Sequence, residues 1–191
     1  MKIRNGFVSN SSSSSFIIAL DKPLKTFAQV LDTFYPDGRD VSCDYYDNTI
    51  SSGDAAHMIF DQIKDKKPAT KNELLDCVNG GWWDGRQSRN YSELKPSDIL
   101  RREYREKHGF DIMDDKADKA DKDKWTVLWR KEWDKEQAIE RQHSEEYLDG
   151  ILKTRKGKKF YIVHFGDEDG RGIMEHGNAF DNVDCIHISN H

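Results

Sequence analysis

The chain has 191 residues, with 30 Lys plus Arg against 35 Asp plus Glu and a net charge of -5, which allows one ordinary domain or two small ones and excludes a large multidomain machine. Five Trp, seven Tyr and nine Phe in a chain that is 36% hydrophobic supply enough large apolar side chains to build a core, which excludes wholesale disorder. Residues 164 to 191 hold six acids and one base, Arg171. The rest of the chain is balanced, so coating of nucleic acid by phosphate neutralisation is not expected. A single α+β domain is the expected class, with a small antiparallel or mixed sheet built from strands at both ends of the chain and a helical middle packed on it.

In chain order, a short strand is expected near Ile3 to Val8 and is followed by the tract Ser9-Asn10-Ser11-Ser12-Ser13-Ser14-Ser15. The run Phe16-Ile17-Ile18-Ala19-Leu20 then reads as a buried strand. Phe27, Val30, Leu31 and Phe34 recur at helical spacing over 25–35. Ala55, Met58, Ile59, Phe60 and Ile63 do so over 54–64, with Ser51 or Ser52 as caps. Thr70 and Glu73 have capping-box spacing ahead of Leu74, Leu75 and Val78, and Gly80-Gly81 closes that third helix.

The segment Gly81-Trp82-Trp83-Asp84-Gly85-Arg86 is expected to plug the core with its indoles, the alternative being that Trp82 and Trp83 stack on a ligand ring. Ser97 or Asp98 can cap a charged helix that ends at His108-Gly109. Residues 114–124, all Asp, Lys and Ala, read as a solvated surface segment. From Trp125 to Leu152 one stripe carries Trp125, Trp129, Trp133, Ile139, His143, Tyr147 and Ile151, which predicts a long helix lying on the core. Display of the Trp stripe to a partner is the alternative. A basic turn follows (Lys153, Arg155, Lys156, Lys158, Lys159), expected to be solvated, with a phosphate contact as the alternative. Phe160 to Phe165 is a strand, Gly172 to His176 its expected hairpin partner, and Cys185 to Ile188 a last alternating strand.

Three widely spaced cysteines form no disulfide framework and no CxxC pair, and no apolar run has the length of a membrane span. A soluble protein of a reducing cytoplasm, without membrane association, is the expectation.

Candidate chemistry concentrates at the end of the chain, where His164, His176, His187 and His191 accompany Asp167, Asp169, Glu175, Asp184 and Cys185. If Phe160 to Phe165 and Gly172 to His176 form a hairpin, His164 and His176 approach each other and His187 joins from a neighbouring strand. His164, His176, His187, Asp167 and Asp169 would then be ligands for a divalent metal, Zn or Mn, with Glu175 as general base. The competing expectation is half-buried strand histidines and acidic turns, with a metal-free acid/base site as a third. The run Asp167-Glu168-Asp169-Gly170 lacks the later ligands of a calcium loop. The tract supplying Ser11, Ser12, Ser13 and Ser14 can form an anion-holding loop, although neither GxxxxGK[ST] nor GxSxG is present and a plain turn is the competing reading.

Residues 4 to 16, RNGFVSNSSSSSF, resemble the opening of a scattered group of bacterial and bacteriophage proteins of unassigned function. The closing FGDEDGRGIMEHG and HISNH are similar to the ends of some of them. The resemblance covers about a quarter of the chain and implies a bacterial or bacteriophage cytoplasmic protein, with no catalytic residues carried over. It also suggests that the two ends build one shared site. The functional expectation is a non-enzymatic accessory or regulatory protein that binds a host or phage protein through its acidic C-terminal surface or an exposed Trp face. A metal-dependent hydrolase of the phosphoester class is the alternative, and a Trp82/Trp83 ligand module the third.

Overall fold

The computed structural model describes residues 13–43, 48–80, 95–166 and 172–189. The expected strand at Ile3 to Val8, together with Ser11, Ser12, Trp82, Trp83, Asp167, Asp169 and His191, lies outside them. The chain divides into two compact units, Met1–Gly85 with Glu146–His191, and Arg86–Glu145. The fold is α+β, as expected, with a small antiparallel sheet of N- and C-terminal strands and helices between them.

In the first unit, β1 (Ser13–Leu20) lies between β4 (Lys159–Gly166) and β5 (Cys185–Ser189), antiparallel to both. The last three serines of the tract therefore belong to a strand and not to a loop. A central strand covered on both faces must be apolar at successive positions, which accounts for the unbroken run from Phe16 to Leu20. One face presents Phe16, Ile18, Tyr161, Val163 and Phe165 to α1 (Phe27–Phe34), α2 (Ser52–Ile63) and α6 (Gly172–His176). The other presents Ile17, Ala19, Phe160, Ile186 and Ile188 to α3 (Lys71–Gly80) and to Leu148 and Ile151, near the end of α5 (Lys119–Thr154).

The helix starts follow local chemistry. Thr26 and Gln29 form a capping box on α1, Ser51 caps α2 by accepting from Asp54 N, and Thr70 and Glu73 form the expected box on α3. The outer edge of β4 is closed by side chains. Gln62 donates to His164 O at 2.7 Å and accepts from His164 N at 2.8 Å, while Lys66 Nζ donates to Ile162 O at 2.9 Å. An amide that both gives and takes imitates a neighbouring strand and blunts the edge.

Gly172 to His176 is helix α6 and not the hairpin partner of β4. Ile173 and Met174 enter the same core cluster, which adjacent residues of a strand, facing opposite sides, could not do, and the outer edge of β4 is already occupied by Gln62 and Lys66. Gly177 then lets the chain touch β2 (Val41–Cys43), which pairs with β3 (Asn48–Ile50). A Cβ at Gly177 would lie 2.7 Å from Ser42 O and closer still to Ile173 O, so no larger residue fits without displacing backbone.

The second unit contains α4 (Pro96–His108) and the α5 residues up to Glu145. Gly109 closes α4 at φ 78° as expected, but neither Ser97 nor Asp98 is the N-cap: Lys95 occupies that position, with Pro96 opening the helix. Ser97 instead binds Glu132 on α5, giving Oε1 its N–H at 3.1 Å and Oε2 its Oγ–H at 2.5 Å. The core here is small, consisting of Tyr104, Ile112 and Ala117 with Leu100, Phe110 and Trp125 against them. Ala117 therefore brings part of the expected surface segment inside. No helix among the described residues is long and apolar enough to cross a membrane.

Candidate functional site

Successive residues of a strand face opposite sides, and β1 uses this to build two polar clusters from adjacent serines. Ser14 is fully buried and donates from Oγ to Glu175 Oε1 at 2.5 Å, and its Oγ lies 2.7 Å from His187 Nε2. A serine has one proton to give. With Glu175 ionised that proton goes to the carboxylate, so His187 donates through Nε2–H and Ser14 bridges imidazole and acid. His187 cannot in this state act as base toward Ser14, and the order acid, serine, histidine is not that of a nucleophilic triad. The His187 ring stacks on Phe16, with centroids 4.7 Å apart and planes at 5°, and Phe16 stacks in turn on Phe180 at 4.3 Å. His176 Nε2 approaches Glu175 Oε2 at 3.9 Å.

On the other face Ser15 Oγ pairs with His164 Nδ1 at 2.8 Å and also bonds the Cys77 thiol. Partial burial, helped by the charge of Lys66, holds the His164 imidazole below its ordinary value. Burial raises the Cys77 thiol despite the bond from Ser15, and pushes the Cys185 thiol up to about 12, with Asp184 adding to the effect. These two cysteines are free and protonated at neutral pH, so they are poor nucleophiles and poor metal ligands.

The strand register separates the expected metal ligands. His164 lies opposite Ser15, whereas His187 lies opposite Phe16, so the two imidazoles occupy opposite faces of one sheet. With α6 helical, His176 is not carried alongside His164 by a hairpin. No group of three His, Cys, Asp or Glu side chains among the described residues is placed to hold a metal ion. What the structure does bring together from the candidate set is Ser14, Glu175 and His187. The anion-holding role does not suit Ser14, whose hydroxyl is committed to a carboxylate that would repel a phosphate. Of Ser13 only the strand position is described. In the basic turn Arg155 pairs with Asp184 at 2.7 Å and Lys158 with Asp21 at 3.2 Å, which favours the solvated structural turn.

The Trp stripe of α5 differs most from expectation. Trp125 is half-buried and gives its indole N–H to Ser97 O at 3.1 Å. Trp129 and Trp133 are 42% and 41% exposed, and Ile139 is 54% exposed. Their period is helical, as expected, but only Leu148 and Ile151, further along, enter the main core. The three indoles form a ladder, with centroids 6.1 and 5.7 Å apart and planes inclined by 17° and 20°. Each ring limits the rotamers of the next, so the apolar surface is held ready without the ordering cost of free side chains.

Sequence reasoning did not single out Ser15, Phe16 or Gln62. Alternation along β1 could have placed Ser15 opposite to Ser14, but the partners of each depend on register. In comparisons with known proteins, no family model, no curated protein and no solved structure matched the chain.

Proposed function

We propose that this chain is a non-enzymatic accessory or regulatory protein of a bacterium or bacteriophage that acts by binding another protein through the Trp ladder of α5. The observation that carries the reading is the pair of stacked, exposed indoles Trp129 and Trp133. Trp is enriched among the residues that dominate binding energy at interfaces, and apolar area held in place by its neighbours is what such surfaces offer. The acidic C-terminal surface has weaker support, because two of its acids are engaged internally, Glu175 by Ser14 and Asp184 by Arg155. A metal-dependent hydrolase is also the weaker reading, since His164 and His187 face apart.

The test is affinity capture from bacterial lysate with the full chain and with a Trp129→Ala/Trp133→Ala variant. The expected outcome is one protein recovered at stoichiometric yield with the native chain and lost with the variant. Equal recovery by both, or none by either, overturns the reading.

A further inference from the structure

Positive charge collects in the sheet unit where β4 begins. Three contacts tie the 66–71 segment to the 149–162 segment: Lys66 Nζ donates to Ile162 O at 2.9 Å, Ala69 N donates to Phe160 O at 2.7 Å, and Lys71 Nζ pairs with Asp149 at 2.5 Å. Apolar packing holds the same segments together, because Leu74, Leu148, Ile151 and Phe160 share one core. Residues 66–71 and 149–159 hold eight Lys or Arg and one acid, Asp149. The fold therefore adds the lysines of 66–71 to those of the basic turn, on one edge of a chain whose net charge is -5.

The acids that reach this edge each hold one base. Asp149 takes Lys71, Asp184 takes Arg155, and Asp21 takes Lys158. Lys67, Lys153, Lys156 and Lys159 are exposed and make no ion pair with any described residue. Like charges gathered without counter-charge repel one another, and a bound anion relieves that repulsion. The balance of the whole chain argues against coating of its entire surface by nucleic acid, and it leaves room for one local contact.

The kind of anion follows from what accompanies the lysines. The large apolar side chains exposed among the described residues, Met113, Val127, Trp129, Trp133 and Ile139, all belong to the helical unit. A protein interface is built on an apolar or aromatic centre and is poor in lysine. An unpaired base stacks on an exposed ring, and firm attachment to a membrane takes an apolar or lipid anchor beside the bases. A row of phosphates needs none of these. Lysine meets a phosphate as a mobile point charge, and such contacts carry no sequence information.

We propose that this lysine edge binds the phosphate backbone of double-stranded nucleic acid without regard to sequence, through Lys67, Lys153, Lys156 and Lys159. The inference does not depend on the protein-binding reading, which concerns the other unit. Titration of the full chain into a labelled, mixed-sequence DNA duplex over a salt series tests it. Four phosphate contacts make log K fall with log salt at a slope of about -3.6, and each single change, Lys67→Gln, Lys153→Gln, Lys156→Gln or Lys159→Gln, makes the slope shallower by about 0.9. The fourfold variant loses binding while its circular dichroism and urea midpoint stay native, since all four side chains are exposed. Arg130→Gln/Lys131→Gln, which removes two bases of α5, and Trp129→Ala/Trp133→Ala leave duplex binding unchanged. Two duplexes of unrelated sequence bind alike.

No binding by the native chain at low salt, a fourfold variant that binds as the native chain does, or a loss that follows the α5 substitutions instead overturns the inference. So does a chain that binds poly-L-glutamate or phosphatidylserine vesicles and leaves the duplex free, the lysine edge then serving an acidic protein or a membrane surface.

Discussion

The sheet unit and the helical unit treat apolar surface in opposite ways. In the sheet unit β1 is covered on both faces, Ile17 and Ile18 are fully buried, and even the serines that enter the core have partners. In the helical unit the buried core comprises Tyr104, Ile112 and Ala117, while Trp129, Trp133 and Ile139 are exposed. Both contain aromatic stacks, but in the sheet unit Phe16 and Phe180 are buried with only the His187 ring exposed, whereas in the Trp ladder Trp129 and Trp133 are both exposed. Burial stabilises a fold and exposure leaves surface free for association, so stability and binding are expected to reside in different units.

The contrast is tested most severely at its two extremes. Ile17→Ala, at a fully buried position of β1, is expected to cost about 2 to 5 kcal/mol by urea denaturation. Ile139→Ala, on the exposed side of α5, should stay within about 0.5 kcal/mol. Comparable losses at the two sites would break the comparison. Next in size, Glu175→Ala takes the carboxylate acceptor from the buried Ser14 hydroxyl, leaving it His187 alone, and should cost roughly 1 to 3 kcal/mol. Adding Ser14→Ala should recover part of that loss, and a double-mutant cycle reads the coupling. Thr70→Ala removes the capping box of α3 and is expected to cost about 1 kcal/mol in the same assay.

Acid titration separates the units further. The folded His164 imidazole lies below its ordinary value, so the unfolded chain binds that proton first. The associated stability is present above about pH 6.5 and is lost as pH falls through the folded value. His164→Gln should flatten the urea midpoint over that window, by a small amount because the residue keeps solvent contact. In the helical unit, Arg101 and Arg105 hold the Asp111 carboxyl well below the usual range, with Met113 N adding a bond. Its contribution is present above about pH 4 and lost only as pH falls through the folded value. It should amount to no more than about 1 kcal/mol, because both guanidinium groups are largely exposed. Asp111→Asn should remove that low-pH dependence and leave the higher window alone. A small stability effect, below about 1 kcal/mol, is also expected for Trp129→Ala and Trp133→Ala, whose loss should appear in association instead.

Much of the architecture could be read from residue patterns, and the exceptions share a cause. The runs from Phe16 to Leu20 and from Phe160 to Phe165, the alternation in 185–188, and the Thr70/Glu73 box are local signals, and each forms where expected. The strands β2 and β3 have three residues each, too few to show a period. Five residues from Gly172 fit a strand or a helical turn equally well, and the choice fell to packing: Ile173 and Met174 both had to enter the core. The histidine enrichment was visible, but the face each one occupies follows from pairing register, where a shift of one residue reverses the side. For the Trp stripe the period was legible while the question of what it faces was not, since a 3.6-residue repeat is the same against a core, a partner or solvent.

The most direct measurement is oxidative footprinting of the indoles in the full chain, alone at low concentration and in its associated state. The account predicts that Trp129 and Trp133 react readily in the isolated chain and become protected together on association, with the sheet unit unchanged. Unchanged reactivity at both indoles on association, or protection confined to the C-terminal segment, would contradict it.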